Sequence, residues 1–198
     1  MAKAKPVKGL DPQAPTITNV RRLLQARLEE MYNWSKDVDD PYQVRALHDL
    51  RIAAKRLRYI LELFEDVLPQ ESASVVQELE RIQDELGALH DSDVMIALLR
   101  LCLGSQDSGA VYKQALSTAP KYQGKQKTLV RPELVAEMVN EEVTPSAEER
   151  YGLEQLLDKQ QHIRQEQYEA FRQHWYQLQA QDFRRHVLDI VDRQPVTT

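Results

Sequence analysis

Residues 42–68 read YQVRALHDLRIAAKRLRYILELFEDVL, and this stretch decides the fold. Leu47, Leu50, Ala54, Leu57, Leu61, Phe64 and Leu68 recur at three- and four-residue spacing, which is one buried stripe of an α-helix. A half-buried strand would alternate every second residue, and no convincing run of that kind occurs in the chain. A helix is therefore predicted from about Tyr42 to Leu68. Asp37-Val38-Asp39-Asp40-Pro41 supplies acidic residues and a proline at its start, and Pro69 closes it.

The same spacing extends outward on both sides. Val20, Leu23, Leu24, Leu28 and Met31 predict a first helix, capped by Thr16 or Thr18 and fading near Lys36. Val75, Val76, Leu79, Ile82, Leu86, Leu89, Val94, Ile96 and Leu99 predict a third, from about Ser72 into Cys102, with Ser72 or Ser74 as cap. Gly87 lies inside it, and a glycine there costs about 1 kcal/mol against alanine. Close helix packing would account for it. Gly104 to Gly109 reads as a break; within the irregular segment of about 104–146, Val111 to Ala119 reads as a short helix and Pro120 to Pro145 as rich in charge. Thr144-Pro145-Ser146-Ala147-Glu148-Glu149 starts a last long helix through Leu153, Leu156, Leu157, Ile163, Phe171, Trp175 and Leu178, continuing after a break to Val191. Residues 1–15 hold three of the nine prolines and read as a disordered arm. The expected architecture is all-α, an up-and-down four-helix bundle of long amphipathic helices, forming a single domain over 16–193.

Composition bounds the function. The formal net charge is -5 over 198 residues, so an anion site must be a local concentration of positive charge. The single cysteine, Cys102, allows no intramolecular disulfide and no cysteine-based zinc site. No run is long enough to cross a membrane, and the basic N-terminus lacks the apolar core of a signal peptide, so a cytoplasmic protein is expected. No P-loop, phosphate-cradling glycine loop or nucleophile elbow is present, no cofactor is implied, and no catalytic constellation stands out.

The local concentration lies on the helix quoted above. At about 100° per residue, Arg51, Lys55 and Arg58 fall within roughly one third of a turn of His48. The apolar stripe centres on another face, and Arg56 lies off the main row beside it. Residues 45–58 carry five Arg or Lys and His48 against one acid, Asp49. Like charges at neighbour spacing weaken a helix by a few tenths of a kcal/mol per pair. The third helix mixes its charges instead, as Gln77, Glu78, Glu80, Arg81, Asp84 and Glu85. Arginine grips phosphate oxygens in pairs, lysine adds a point charge, and protonated histidine donates from both nitrogens. Such a row suits an extended chain of phosphates. Spacing alone favours the plainer account: a solvated face, or cations paired with acids on a neighbouring helix.

A resemblance shifts that balance. His48-Asp49-Leu50-Arg51-Ile52-Ala53-Ala54-Lys55-Arg56-Leu57-Arg58-Tyr59 resembles the signature helix of CHAD domains, the conserved-histidine α-helical domains. Leu86-Gly87-Ala88-Leu89-His90-Asp91-Ser92-Asp93-Val94 resembles that family's second motif, where Arg or Gln commonly stands in place of His90. The Phe171, Trp175 and Leu178 pattern resembles its closing helix, so the likeness spans roughly residues 16–180. It implies a helical bundle that binds inorganic polyphosphate without catalysis, through His48, Arg51, Lys55, Arg56 and Arg58, each on a matching position. Asp91 matches an acidic position and is read as the structural partner of a buried arginine. Some such domains are fused to triphosphate-handling enzymes, and no such extra domain is expected within the 198 residues. CHAD domains usually contain two four-helix halves, each with its own basic helix, whereas this chain holds one. A homodimer would restore the pair and line a shared groove. A location on polyphosphate granules would follow.

Other residues enter with plainer alternatives. Arg164, beside Ile163, is added to the polyphosphate-binding set because it lies near the expected interior. Arg21, Arg22, Arg27 and Arg172 read mostly as surface, and Lys121, Lys125, Lys127 and Arg131 as solvated linker. A competing reading is a helical interaction protein that binds an acidic protein or a nucleic-acid backbone. A third takes His48-Asp49 and His90-Asp91 as ligands of an HD-type metal phosphohydrolase. The Arg and Lys residues around the first dipeptide would repel a divalent cation. His162, His174 and His186 show no ligand spacing.

Overall fold

The predicted stripe of the central helix is buried from Leu47 to Leu61: Leu47, Leu50, Ala54, Leu57 and Leu61 are each at most 3% exposed, whereas Phe64, past the helix end, is half-buried. The computed structural model describes the backbone of residues 6–118 and 147–192, and the side chains of residues 6–103 and 147–190. Five helices occupy these residues: α1 (Thr16–Trp34), α2 (Val44–Leu63), α3 (Ser72–Thr118), α4 (Ala147–Ala180) and α5 (Phe183–Asp192). No strand occurs among the described residues, and the fold is an all-α helical bundle. The continuation expected after a break in the last helix is α5, a fifth helix beside the four long ones expected. It follows a break at Asp182, whose φ of 55 ends α4 in the left-handed region that Asp tolerates better than most residues.

Turn chemistry moves the helix ends from their predicted places. No side-chain cap bond forms on α1, because Pro15 occupies the cap position and its carbonyl accepts from the Thr18 N–H at 2.9 Å. Thr16 and Thr18 are therefore helical residues rather than caps. α2 begins at Val44 because Asp40 first builds a turn, accepting from the Tyr42 N–H at 2.9 Å. It stops at Leu63. A 3-10 turn (Glu65–Val67) follows, and Leu68 is extended ahead of Pro69, as a residue before proline prefers. α3 has no break at Gly104 to Gly109 and runs on to Thr118. Gly104 and Gly109, with the weak helix formers Ser105, Asp107 and Ser108 between them, do not outweigh the cooperativity of so long a helix. Residues 119–146, the rest of the segment read as irregular, lie outside the described residues.

The chain divides into two units, one made of Met1–Ala88 with Gln167–Thr198, the other of Leu89–Glu166. The first has a largely apolar interior. Val20, Leu24, Leu28 and Met31 of α1 are buried there, as are Val75, Leu79, Ile82 and Leu86 of α3, Phe171, Trp175 and Leu178 of α4, and Val187 and Ile190 of α5. Each such large side chain contributes on the order of 1.5–3 kcal/mol relative to exposure. Tyr168 reaches across to donate to the Val38 carbonyl at 2.8 Å. Asp39 beside it accepts from Arg172 at 2.9 Å and Tyr176 at 2.5 Å. These two bonds, that from Tyr176 the larger cause, hold the Asp39 carboxyl below its usual range.

Pro6 to Pro15 carry no helix but are tied to α1, and residues 1–5 of the expected arm lie outside the described residues. Arg22 donates to the Gly9 carbonyl, and Asn19 both accepts from the Asp11 N–H at 3.0 Å and donates to the Asp11 carbonyl at 2.8 Å. In the second unit Leu89, Ile96 and Leu99 of α3 are buried. Leu156 of α4, read as part of an apolar face, is 45% exposed. Polar contacts join the two helices here: Gln160 donates to Ser92 at 2.8 Å and Arg164 to Asp93 at 2.6 Å.

Candidate functional site

α2 is unbroken from Val44 to Leu63, so helical geometry fixes which of its cations share a side. One edge of α2 faces α3. Arg51 lies flat against that helix and donates Nε to the Gln83 carbonyl at 3.3 Å. A Cβ built on Gly87 would meet the same Nε at 3.4 Å. The close neighbour of Gly87 is thus the Arg51 side chain and not a helix backbone, a different cause from the one expected. That distance is an ordinary contact, so glycine leaves room for Arg51 without being required there.

One turn further on, Arg58 donates to Glu80 of α3 at 2.6 Å and stands 3.5 Å from Glu62 of its own helix. Lys55 Nζ and the Arg58 guanidinium carbon both lie 5.3 Å from the centre of the Tyr59 ring, which holds the two cations near one another. His48, Arg51, Lys55 and Arg58 are all half-buried. Among the described residues no carboxylate lies within ion-pairing distance of Arg51 or Lys55.

The other edge of α2 faces α1. There Arg56 donates to Glu30 at 2.6 Å, and Glu30 also accepts from Arg27 at 2.6 Å. The Glu30 side chain is only 8% exposed. A buried carboxylate needs such donors, and losing either would leave charge uncompensated. Arg56 is therefore a structural cation on the face away from Arg51 and Arg58.

Arg164 has a similar task in the second unit. It is 12% exposed and paired with Asp93, which is 9% exposed. This corrects the reading of Asp91 as the partner of a buried arginine: Asp91 is exposed, and Asp93, two positions later, takes the role. Among the remaining basic candidates, Arg22 holds the arm, Arg27 holds Glu30 and Arg172 holds Asp39. Lys121, Lys125, Lys127 and Arg131 lie outside the described residues.

Among the described residues the His-Asp dipeptides join no metal-ligand cluster. Asp49 is 4% exposed and stands 3.9 Å from Arg45. No group of three or more His, Cys, Asp or Glu side chains among the described residues is placed to hold a metal ion. No helix among the described residues is long and apolar enough to cross a membrane.

Two features escaped sequence reasoning. His174 is 4% exposed and lies between two carboxylates of α3, with Glu85 2.7 Å from Nδ1 and Glu78 3.1 Å from Nε2. Glu80 is the other. The acids of α3 read only as part of a helix of mixed charge, yet Glu80 meets Arg58 of α2, and Glu78 and Glu85 meet His174 of α4. Their seven-residue spacing, Glu78 to Glu85, was the available signal, since it sets both on one side of a helix.

The family model of the CHAD domain matches residues 3–100, which hold α1, α2 and α3 as far as Arg100. No curated protein and no solved structure matches the chain. Both sequence motifs, at 48–59 and 86–94, fall inside the matched span, and the Phe171 to Leu178 pattern falls outside it. Over residues 3–100 the chain belongs to the CHAD domain family.

Proposed function

We propose that the chain binds inorganic polyphosphate, or a polyanion of similar build, and catalyses no reaction on it. The ligand runs along the edge of α2 that carries His48, Arg51, Lys55 and Arg58. One observation carries this reading: among the described residues Arg51 and Lys55 have no carboxylate partner, beside an Arg58 held only by solvent-facing acids. Cations left uncompensated on a part-buried edge suit an anion that arrives from outside. Membership in a family associated with polyphosphate binding, and generally a binding rather than a catalytic domain, supports the same ligand. Arg56 and Arg164, each engaged with a buried carboxylate, support the fold around the site and contribute long-range charge.

The binding unit is proposed to be a homodimer, in which two basic edges line one groove. A cytoplasmic location on polyphosphate granules follows from the ligand. Light scattering with and without polyphosphate tests the assembly, and a strict monomer in both contradicts it.

Polyphosphate and nucleic acid both bind in a salt-dependent way, so competition separates them. Bound polyphosphate is expected to withstand excess DNA or RNA. Easy displacement by DNA would replace this reading with a general binder of acidic backbones.

A further inference from the structure

Arg58 is the most strongly held cation on the proposed binding edge, and what holds it is exposed. Its side chain is 18% exposed and donates to Glu80 at 2.6 Å, with Glu62 at 3.5 Å. The two acids are 53% and 40% exposed. Arg58 Nε meets no acceptor among the described residues, so the pairing leaves the guanidinium incompletely satisfied. Arg56, two positions away, differs in its partner: the carboxylate is buried and shared with Arg27.

A buried pair of that kind cannot open without stranding a charge. The Arg58 pair can, because Glu80 recovers its hydration when it swings away. We infer that Glu80 is a resident counter-ion of Arg58, which an incoming phosphate chain displaces, and that it thereby sets the affinity of the site. In the empty protein the carboxylate occupies the place that a phosphate oxygen takes in the complex. Glu62, on the same helix as Arg58, plays a lesser part at its longer distance. Glu80 is a positioning residue, acting on the ligand only through Arg58.

The inference rests on the proposed polyphosphate site, and its test separates the two. The probe is linear inorganic polyphosphate, titrated calorimetrically into the full chain at fixed salt. Four proteins are compared: wild type, Glu80→Gln, Arg58→Gln and the Glu80→Gln/Arg58→Gln double variant. Circular dichroism checks each fold. Glu80→Gln is expected to bind about two- to fivefold more tightly, since exposed pairs of this type are worth up to roughly that factor. The gain should vanish in the Arg58→Gln background.

Unchanged or weaker binding by Glu80→Gln, with wild type binding normally, would overturn the inference alone. A gain of equal size in the Arg58→Gln background would also overturn it, since that is the effect of net charge. Wild type that does not bind polyphosphate would overturn the functional reading and this inference with it.

Discussion

Arg56 and Arg58 stand two positions apart on one helix, and each meets a glutamate at 2.6 Å. Distance alone makes them alike, and solvation separates them. Glu30 is 8% exposed and takes a second arginine, so its pairing belongs to the packed interface of α1 and α2. Glu80 is 53% exposed and takes only Arg58 among the described residues, so its pairing sits at a rim where water and ligands compete. A count of basic residues on α2 would enter both as binding cations. The burial of the partner carboxylate tells which cation holds the fold and which remains open to an outside anion.

Several substitutions can break or sharpen this contrast. The largest effect on stability is expected from Arg56→Ala. It removes a charge-assisted bond to a buried carboxylate and should cost about 1.5–3 kcal/mol. A fall in the urea midpoint at unchanged slope would register it. Polyphosphate affinity should change far less than it does for Arg58→Ala. If Arg56→Ala keeps full stability and loses the ligand, the two arginines have exchanged roles.

Arg58→Ala should show the reverse pattern. Loss of an exposed pair costs at most about 1 kcal/mol of stability, while a lost phosphate contact weakens binding by about 1.5–3 kcal/mol. Unfolding and titration of the same preparation test both halves of that statement.

The smallest effect is expected at Gly87. Its added methyl would meet only the flexible end of Arg51, at 3.4 Å, while helix propensity gains up to about 1 kcal/mol. Gly87→Ala should therefore be neutral to slightly stabilising in thermal unfolding. A clear loss of stability would mean that α2 and α3 are packed too closely there for Arg51 to yield.

How much of this was legible in the sequence follows from the range of each interaction. The stripe Leu47 to Leu61 was fully legible, because one periodicity dictates both the helix and its buried side. The angular position of Arg56 was legible for the same reason. Its partner was not: Glu30 is 26 residues away, and nothing local in Leu28-Glu29-Glu30-Met31 marks that acid as buried. Helix ends were only partly legible, since the Asp40 turn and the extended Leu68 compete with propensity over a few residues. Asp91 and Asp93 could not be told apart without the register of α3 against α4. His174 lacked any local signal, because its two acids come from a helix nearly 90 residues earlier, separated from it by 89 residues at Glu85.

The most direct measurement is a polyphosphate titration of wild type beside the Arg51→Ala/Arg58→Ala double variant, with the fold of each checked by circular dichroism. The expected result is saturable binding by wild type and a loss of affinity in the folded double variant of at least about 1.5 kcal/mol, roughly tenfold. Equal affinity in the two folded proteins would contradict the assignment of the α3-facing edge of α2 as the site.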